Sequence, residues 1–391
     1  MDMYKQITGI ISSKTGILFL LIIGLSACIS TKINSVNQEE YLGNRKNDLS
    51  IYKDDGIHQF YIPFDIGIKP MEKLMLISFE CGSEYKTIEL QLYNDERGKG
   101  AGVILYGKNG KNDFYCTDKV FADTSLFDSS HSFENKEMEY ALNISDKGLN
   151  TFLKMRDKSG KLIEMRVVEQ NMNNDMTSML APVGGIIEDY SYFPFFYLED
   201  FNFVKQKNTK IELKIDGVDC QPKKIPIPMN GSLVYICQYS ASPVISKINK
   251  NFTGKPLFFN PDDKLTYENG NKHYEFTDND GHKELRKITC SVYKRHVGIT
   301  FSPPIPNITN LKNNTEIKGK FSLEAGNVTG VVAGEYQINI KNDKAIITMQ
   351  PLEAYSPMKG ELWVRDYQWK AEITFMNNEV QEMISEWRVE E

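Results

Sequence analysis

A chain of 391 residues is too long for one ordinary hydrophobic core and points to two or three domains. Its 41% hydrophobic and 25% charged residues exclude a wholly disordered protein. A formal net charge of −6 excludes a dedicated nucleic-acid binder, which would carry a basic excess.

The first 28 residues read MDMYKQITGIISSKTGILFLLIIGLSAC. Lys5 and Lys14 make a positive start, and Gly16 to Leu25 is an uncharged, mostly apolar run of ten. Ten residues are too few to cross hydrocarbon as a helix, which takes about 20, but they suit the apolar stretch of a signal peptide. A span reaching back to Ile7 would have to bury Lys14. Leu25-Ser26-Ala27-Cys28 follows directly, and it resembles the lipobox of bacterial lipoproteins. The resemblance implies diacylglycerol transfer to the Cys28 sulfur, cleavage before Cys28 and acylation of the new amine. Two or three acyl chains hold firmly where one would be marginal, since each buried CH₂ contributes ~0.8 kcal/mol. Ile29 rather than Asp follows the cysteine, which in a cell with two membranes is the usual pattern of lipoproteins sent to the outer one. The expected location is therefore the cell membrane or outer membrane, lipid-anchored and facing the extracytoplasmic side. Residues 1–27 read as the signal peptide and 28–50 as a polar, flexible tether.

From residue 51 onward, apolar residues alternate with polar ones. The pattern runs through Phe60/Ile62/Phe64/Ile66/Ile68 and Ile88/Leu90/Leu92, and later through Ile163/Met165/Val167 and Ile211/Leu213/Ile215. It continues at Ile288/Cys290/Val292, Val297/Ile299/Phe301, Tyr336/Ile338/Ile340 and Trp369/Ala371/Ile373/Phe375. One dry face and one wet face is the signature of antiparallel sheets. Gly107-Lys-Asn-Gly110, Asn230-Gly231, Asn269-Gly270, Asp280-Gly281 and Asn342-Asp343 supply turns between the runs. The expectation is an all-β chain: two antiparallel β-sandwich or lipocalin-like β-barrel domains in tandem, with at most one or two short helices. Ser145 is a candidate N-cap for one such helix, carrying Leu149, Phe152 and Leu153 and closed by Gly160. At the C-terminus, Met383, Ser385, Trp387 and Val389 fit a strand returning from a turn at Asn377-Asn378.

A break near 170–188, where Gln170-Asn-Met-Asn-Asn-Asp-Met interrupts the alternation and Pro182 and Gly184-Gly185 follow, divides domain one (51–175) from domain two (186–391). An echo between Ile88-Glu-Leu-Gln-Leu and Ile211-Glu-Leu-Lys-Ile raises the possibility of duplication. Eight of the fourteen residues from Tyr190 to Phe203 are aromatic, which fits either buried packing or the lining of a cleft.

Motifs of catalysis are scarce. There is no P-loop, dinucleotide glycine motif, Gly-x-Ser-x-Gly elbow or His-Glu-x-x-His pattern. His58, His131, His273, His282 and His296 lack metal-ligand spacing, so neither a metal nor a cofactor is expected. Asp278-Asn-Asp-Gly281 lacks the staggered acids of a calcium loop and reads as a turn. Beyond Cys28 stand Cys81, Cys116, Cys220, Cys237 and Cys290, an odd number. Cys237 and Cys290 share faces with apolar residues and read as buried hydrophobes, while Cys220 is a candidate partner for Cys237. The three tryptophans fall in the last 29 residues. Trp363, Arg365 and Tyr367 lie on one face of a strand and are candidates for stacking on a sugar or aromatic ligand, with Tyr190 and Tyr192 as further candidates.

These features point to a non-catalytic, lipid-anchored envelope protein that binds an apolar or glycan ligand or a protein partner. Its contact with the membrane would be through the Cys28 acyl chains, and nucleic acid is not expected. One alternative is an enzyme acting on an apolar small molecule in paired lipocalin-like barrels, resembling carotenoid hydratases in layout only. Such an enzyme would need a carboxylate or histidine buried in an aromatic cavity. Another is a structural subunit that assembles with other envelope proteins through exposed strand edges.

Overall fold

The computed structural model describes residues 38–53, 58–69, 71–95, 98–120, 132–145, 148–170, 177–181, 193–226, 228–229, 231–260, 264–292, 295–325, 331–355, 359–360 and 367–389. In chain order, a short helix α1 (Gln38–Leu42) and a 3-10 turn (Leu49–Ile51) come first. Strands β1 (Phe60–Ile62) and β2 (Ile66–Lys69) lead into a meander of β3 (Met71–Glu80), β4 (Tyr85–Asp95), β5 (Gly98–Gly107) and β6 (Asn112–Cys116). β7 (Ser132–Glu134) is followed by a second meander, β8 (Glu139–Ser145), β9 (Gly148–Arg156) and β10 (Leu162–Gln170). Next come β11 (Thr177–Ala181), β12 (Phe193–Lys205), β13 (Thr209–Ile215), β14 (Val218–Asp219), β15 (Gln221–Pro222) and β16 (Val234–Ile248). The last stretch runs through β17 (Phe252–Gly254), β18 (Leu257–Phe259), β19 (Thr266–Asn269), β20 (Lys272–Asn279), β21 (His282–Val292) and β22 (Arg295–Pro306). It ends with β23 (Glu316–Ala325), β24 (Val331–Lys341), β25 (Lys344–Tyr355), β26 (Lys359–Gly360), β27 (Tyr367–Met376) and β28 (Glu379–Val389).

The molecule is all-β, built from antiparallel sheets with one short α-helix among the described residues. The chain divides into two compact units, but not at a single point. The described residues of 70–189 and 198–243 form the first, and those of 33–69, 190–197 and 244–391 the second. The simple tandem split at 175–186 gives way because residues 58–69 pack with the later strands: Phe64 lies 4.8 Å from Phe301 and 5.5 Å from Trp369.

The first unit is a sandwich. Its larger sheet runs β16-β3-β4-β5-β6-β7, antiparallel except for the short parallel β6–β7 pair, with β15 also against β3. The facing sheet has five strands in the order β14-β13-β10-β9-β8. Alternation explains the pairing of layers. Leu149, Leu153, Met155, Ile163, Met165, Val167, Leu213 and Ile215 point inward from the smaller sheet and meet Met75, Ile77, Ile88, Leu90, Val103, Leu105 and Tyr115 from the larger. Each buried Leu, Ile or Val contributes about 1.5–3 kcal/mol relative to exposure.

In the second unit one long sheet follows the order β17-β28-β27-β25-β24-β23-β22-β21-β20-β19, and β26 adds to β25. Two reciprocal cross-strand pairs stand within it. Gly319 faces Tyr336, and Gly334 faces Phe321. In each pair the ring lies over the glycine, so closely that an added Cβ would come within 2.4 Å of the Tyr336 ring or 2.6 Å of the Phe321 ring. Glycines covered in this way let a sheet bend without exposing its core.

Turns form where the sequence places them. Asn342-Asp343, Asn377-Asn378 and Asp280-Gly281 each have positive φ at both residues, the geometry of a two-residue hairpin turn. The C-terminal strand forms as expected and pairs with β27. Two expectations are corrected. The segment after Ser145 is strand β9 rather than a helix: Leu149 and Leu153 are buried, while Phe152 sits on the wet face and is 40% exposed. The spacing of Leu149, Phe152 and Leu153 fits a helix, whereas a strand keeps only Leu149 and Leu153 on one face; pairing with β8 and β10 makes it a strand. The tether is also shorter than expected, because residues 38–53 dock onto the second unit. Asn47 Nδ2 donates to the Pro304 carbonyl at 2.7 Å, Ser302 Oγ donates to the Gly43 carbonyl at 3.0 Å, and Leu42 is buried. The echo strands β4 and β13 lie in opposite layers of one sandwich with different neighbours, so their likeness does not mark two repeated units.

Candidate functional site

The register of the five-stranded sheet builds its solvent face row by row. Side chains that alternate away from the core stand beside their cross-strand partners about 4.5–5.5 Å apart. One row reads Glu139, Lys154, Glu164, Lys214, Asp219, with the sign of charge alternating at every step. The next reads Ala141, Phe152, Arg166, Glu212, and the third Asn143, Asn150, Val168, Lys210. These rows border a shallow open groove of about 620 Å³ lined by Ala141, Asn143, Asn150, Phe152, Arg166 and Glu212 among others.

The charges on this face are weakly tied. Lys154 Nζ is 4.0 Å from Glu164 Oε1, and Lys214 Nζ is 3.7 Å from Asp219 Oδ1. Lys210 is closer to Glu212, at 2.6 Å, and this hydrogen bond holds the Glu212 carboxyl below the usual carboxylate range, with Arg166 and Lys214 adding smaller pulls. The face therefore offers neutral amides at Asn143 and Asn150, an exposed ring at Phe152 and charges of both signs at its margin. Such a set can hydrogen-bond hydroxyls and stack on an apolar ring face.

Buried carboxylates stand elsewhere, at Glu89, Asp113, Asp157, Glu169 and Glu284 among the described residues, and two of them show how they are held. In the first unit Glu89 accepts from Gln91 Nε2 at 2.5 Å and from the Tyr106 hydroxyl at 2.5 Å, while Tyr93 donates to Gln91. Burial, with the Glu89 charge added, drives the Tyr106 phenol well above its ordinary pKa and keeps it a donor. In the second unit Glu284 accepts from the Tyr52 hydroxyl and, at 2.8 Å, from Asn279 Nδ2. His282 stacks on the Tyr52 ring, centroids 3.8 Å apart, and its Nδ1 meets Asn310 Nδ2 at 3.4 Å. That cluster is what fastens residues 47–53: Asn279 also donates to the Asn47 carbonyl, and Lys53 N donates to the Asn310 carbonyl. Glu89 and Glu284 act within the fold, each holding donors from its own or neighbouring strands or from the docked segment.

Of the residues that the sequence marks for a site, Cys28, Tyr190, Tyr192, Trp363 and Arg365 lie outside the described residues, as does His131. Tyr367 is described and is buried, 6.4 Å from Trp387 in an edge-to-face contact, so it belongs to the core and not to an exposed stacking face. Its neighbour Trp369 is fully buried, as its alternation implies. Tyr197, Phe201 and Phe203 of the aromatic run are also buried. Cys237 and Cys290 are buried within strands as expected. Among the described residues no cluster of His, Cys, Asp and Glu could hold a metal ion, and no helix is long and apolar enough to cross a membrane. Sequence reading missed the groove because its residues come from four strands, and only register brings Phe152, Asn150 and Arg166 side by side. No family model, curated protein or solved structure matches the chain.

Proposed function

We propose that the chain is a lipid-anchored envelope protein that binds a glycan on the outer face of the five-stranded sheet. The anchor rests on the order of the first 28 residues, with lysines, then an apolar run of ten, then Leu25-Ser26-Ala27-Cys28. Acylation of Cys28 would place both β units on the extracytoplasmic side of the cell membrane or outer membrane. Glycan binding rests on one observation, the groove that brings the Asn143 and Asn150 amides beside the exposed Phe152 ring. Amides pair with sugar hydroxyls, and an aromatic ring packs on the C–H face of a pyranose. Arg166 and Glu212 at the margin favour a ligand that is neutral or carries both signs of charge.

Two measurements test the two halves. Radiolabelled palmitate should mark the wild-type chain and spare Cys28→Ala; equal labelling overturns the anchor. Titration of the full chain with fragments of envelope polysaccharide should show binding that Phe152→Ala and Asn150→Ala each weaken by about ten-fold, the worth of one or two polar or stacking contacts. An affinity unchanged in both variants overturns the groove as the site.

A further inference from the structure

Cys220 is the single residue between two strands that belong to opposite layers of the sandwich. Before it, β14 pairs with β13 in the five-stranded sheet (Lys214 with Asp219, Ile215 with Val218). After it, β15 pairs with β3 of the larger sheet (Gln221 with Glu80, Pro222 with Phe79). Carried one residue further, this antiparallel register sets Cys220 opposite Cys81. Directly opposed residues in such a pair have Cα atoms about 4.5 or 5.5 Å apart, inside the 4.4–6.8 Å range that a disulfide spans. Each thiol is near enough to bear on the other's ionisation. Cys237, by contrast, lies opposite Ile77, about 13 Å along β3 at ~3.3 Å per residue, too far from Cys220's register position to be its partner.

The two sulfurs differ in character. Cys81 is half-exposed in the β3–β4 turn, its Sγ 3.0 Å from Ser83 Oγ, with Lys108 donating to its carbonyl at 2.7 Å. Cys220 is buried. Burial opposes ionisation of Cys81, but the hydrogen bonds from Cys220 and Ser83 and the Lys108 charge together bring its thiol below the ordinary value. Burial and the neighbouring Cys81 push Cys220 up to about 12.

We propose that Cys81 and Cys220 are a thiol pair built to close into a disulfide that staples the two sheets of the first unit, with Cys81 as the attacking sulfur and Cys220 as the resolving one. The oxidant is a disulfide donor from outside the chain. The Cys81 thiolate attacks one donor sulfur, forming a mixed disulfide and expelling the first donor thiolate. Cys220 then loses its proton and attacks the Cys81 sulfur, expelling the second. Two protein thiols are oxidised, one donor disulfide is reduced to two thiols, and the two protons lost by Cys81 and Cys220 are taken up, by way of solvent, by the two donor thiolates. This goes beyond the proposed function and rests on it only for where the chain meets such a donor.

The test uses the purified full chain in detergent, reduced and then equilibrated with oxidised glutathione, alkylated and mapped without reduction. The expected result is a peptide joining Cys81 to Cys220, absent in Cys81→Ser and in Cys220→Ser. Cys220→Ser should instead collect glutathione on Cys81, and should do so about ten-fold faster than Cys81→Ser collects it on Cys220, because thiolate fraction and access both favour Cys81. Both thiols remaining open to alkylation in oxidised glutathione overturns the proposal, as does Cys220 joined to Cys237. Equal rates in the two variants overturn the assignment of roles. The reaction is run in vitro, so its outcome is separate from that of palmitate labelling.

Discussion

The five-stranded sheet of the first unit and the long sheet of the second are written in the same alternating pattern, yet they solve different problems. In the smaller sheet, the interiors of β8, β9, β10 and β13 carry a side chain at every position, with a dry row facing the larger sheet and a wet row facing solvent. In the long sheet the interior glycines include Gly319 and Gly334, each roofed by an aromatic ring from the strand beside it. A sheet that needs only one covered face is specified by alternation alone. A sheet in which rings lie across to the strand beside them also needs places where the side chain is missing.

The comparison can be broken at several points. The largest effect is expected at Leu153 in the dry row of β9. Leu153→Ala should cost about 2–5 kcal/mol in a denaturant titration, as buried leucines do when a cavity remains. A cost below about 1 kcal/mol would mean that the two layers do not meet as described.

Tyr115 gives the next test. It faces the smaller sheet from β6, and its hydroxyl accepts from Lys158 N at the β9–β10 turn. Burial raises its phenol to about 12. A folded-state pKa above the unfolded value of ~10 means that its stabilising share is complete below pH ~10 and is lost as pH climbs toward 12. Between those limits wild type should lose roughly 2 kcal/mol more than Tyr115→Phe, measured by urea titration at successive pH values. Parallel curves would refute the assignment.

Gly334 tests the long sheet. A Cβ there would stand 2.3 Å from the Gln350 carbonyl oxygen, a backbone atom that cannot step aside, whereas the atoms nearest one at Gly319 belong to the Tyr336 side chain. Gly334→Ala should therefore destabilise by about 1–3 kcal/mol, and by more than Gly319→Ala. The reverse order would contradict the packing described at that pair. The smallest effect belongs to the wet row. Lys154→Ala should change stability by less than about 0.5 kcal/mol, since its 4.0 Å partner Glu164 is exposed. A larger loss would show that the charge row supports the fold.

Most of the fold was legible because period-two patterning and positive-φ turn residues are local signals. Asn377-Asn378 and Asn342-Asp343 turn where they stand, and Ile163, Met165 and Val167 face inward as written. What escaped was non-local. Leu149, Phe152 and Leu153 carry a helical spacing, and only pairing with the strands on either side overrides it. Residues 38–53 carry no period of their own and are held by Glu284, Asn279 and Pro304, more than 200 residues away. The groove and the Cys81–Cys220 pair both depend on register, a property of two strands together that neither strand states alone. Tyr367 shows the opposite failure: an aromatic in a run with an arginine and two tryptophans reads as a binding surface, yet Tyr367 and Trp369 are buried in the core.

The account stands first on the anchor. Intact-mass analysis of the native protein from its own membranes addresses this directly. The account predicts a chain beginning at Cys28 and heavier than the peptide by the mass of two or three acyl chains. A chain that retains residues 1–27, or that begins at Cys28 with an unmodified thiol, would contradict it.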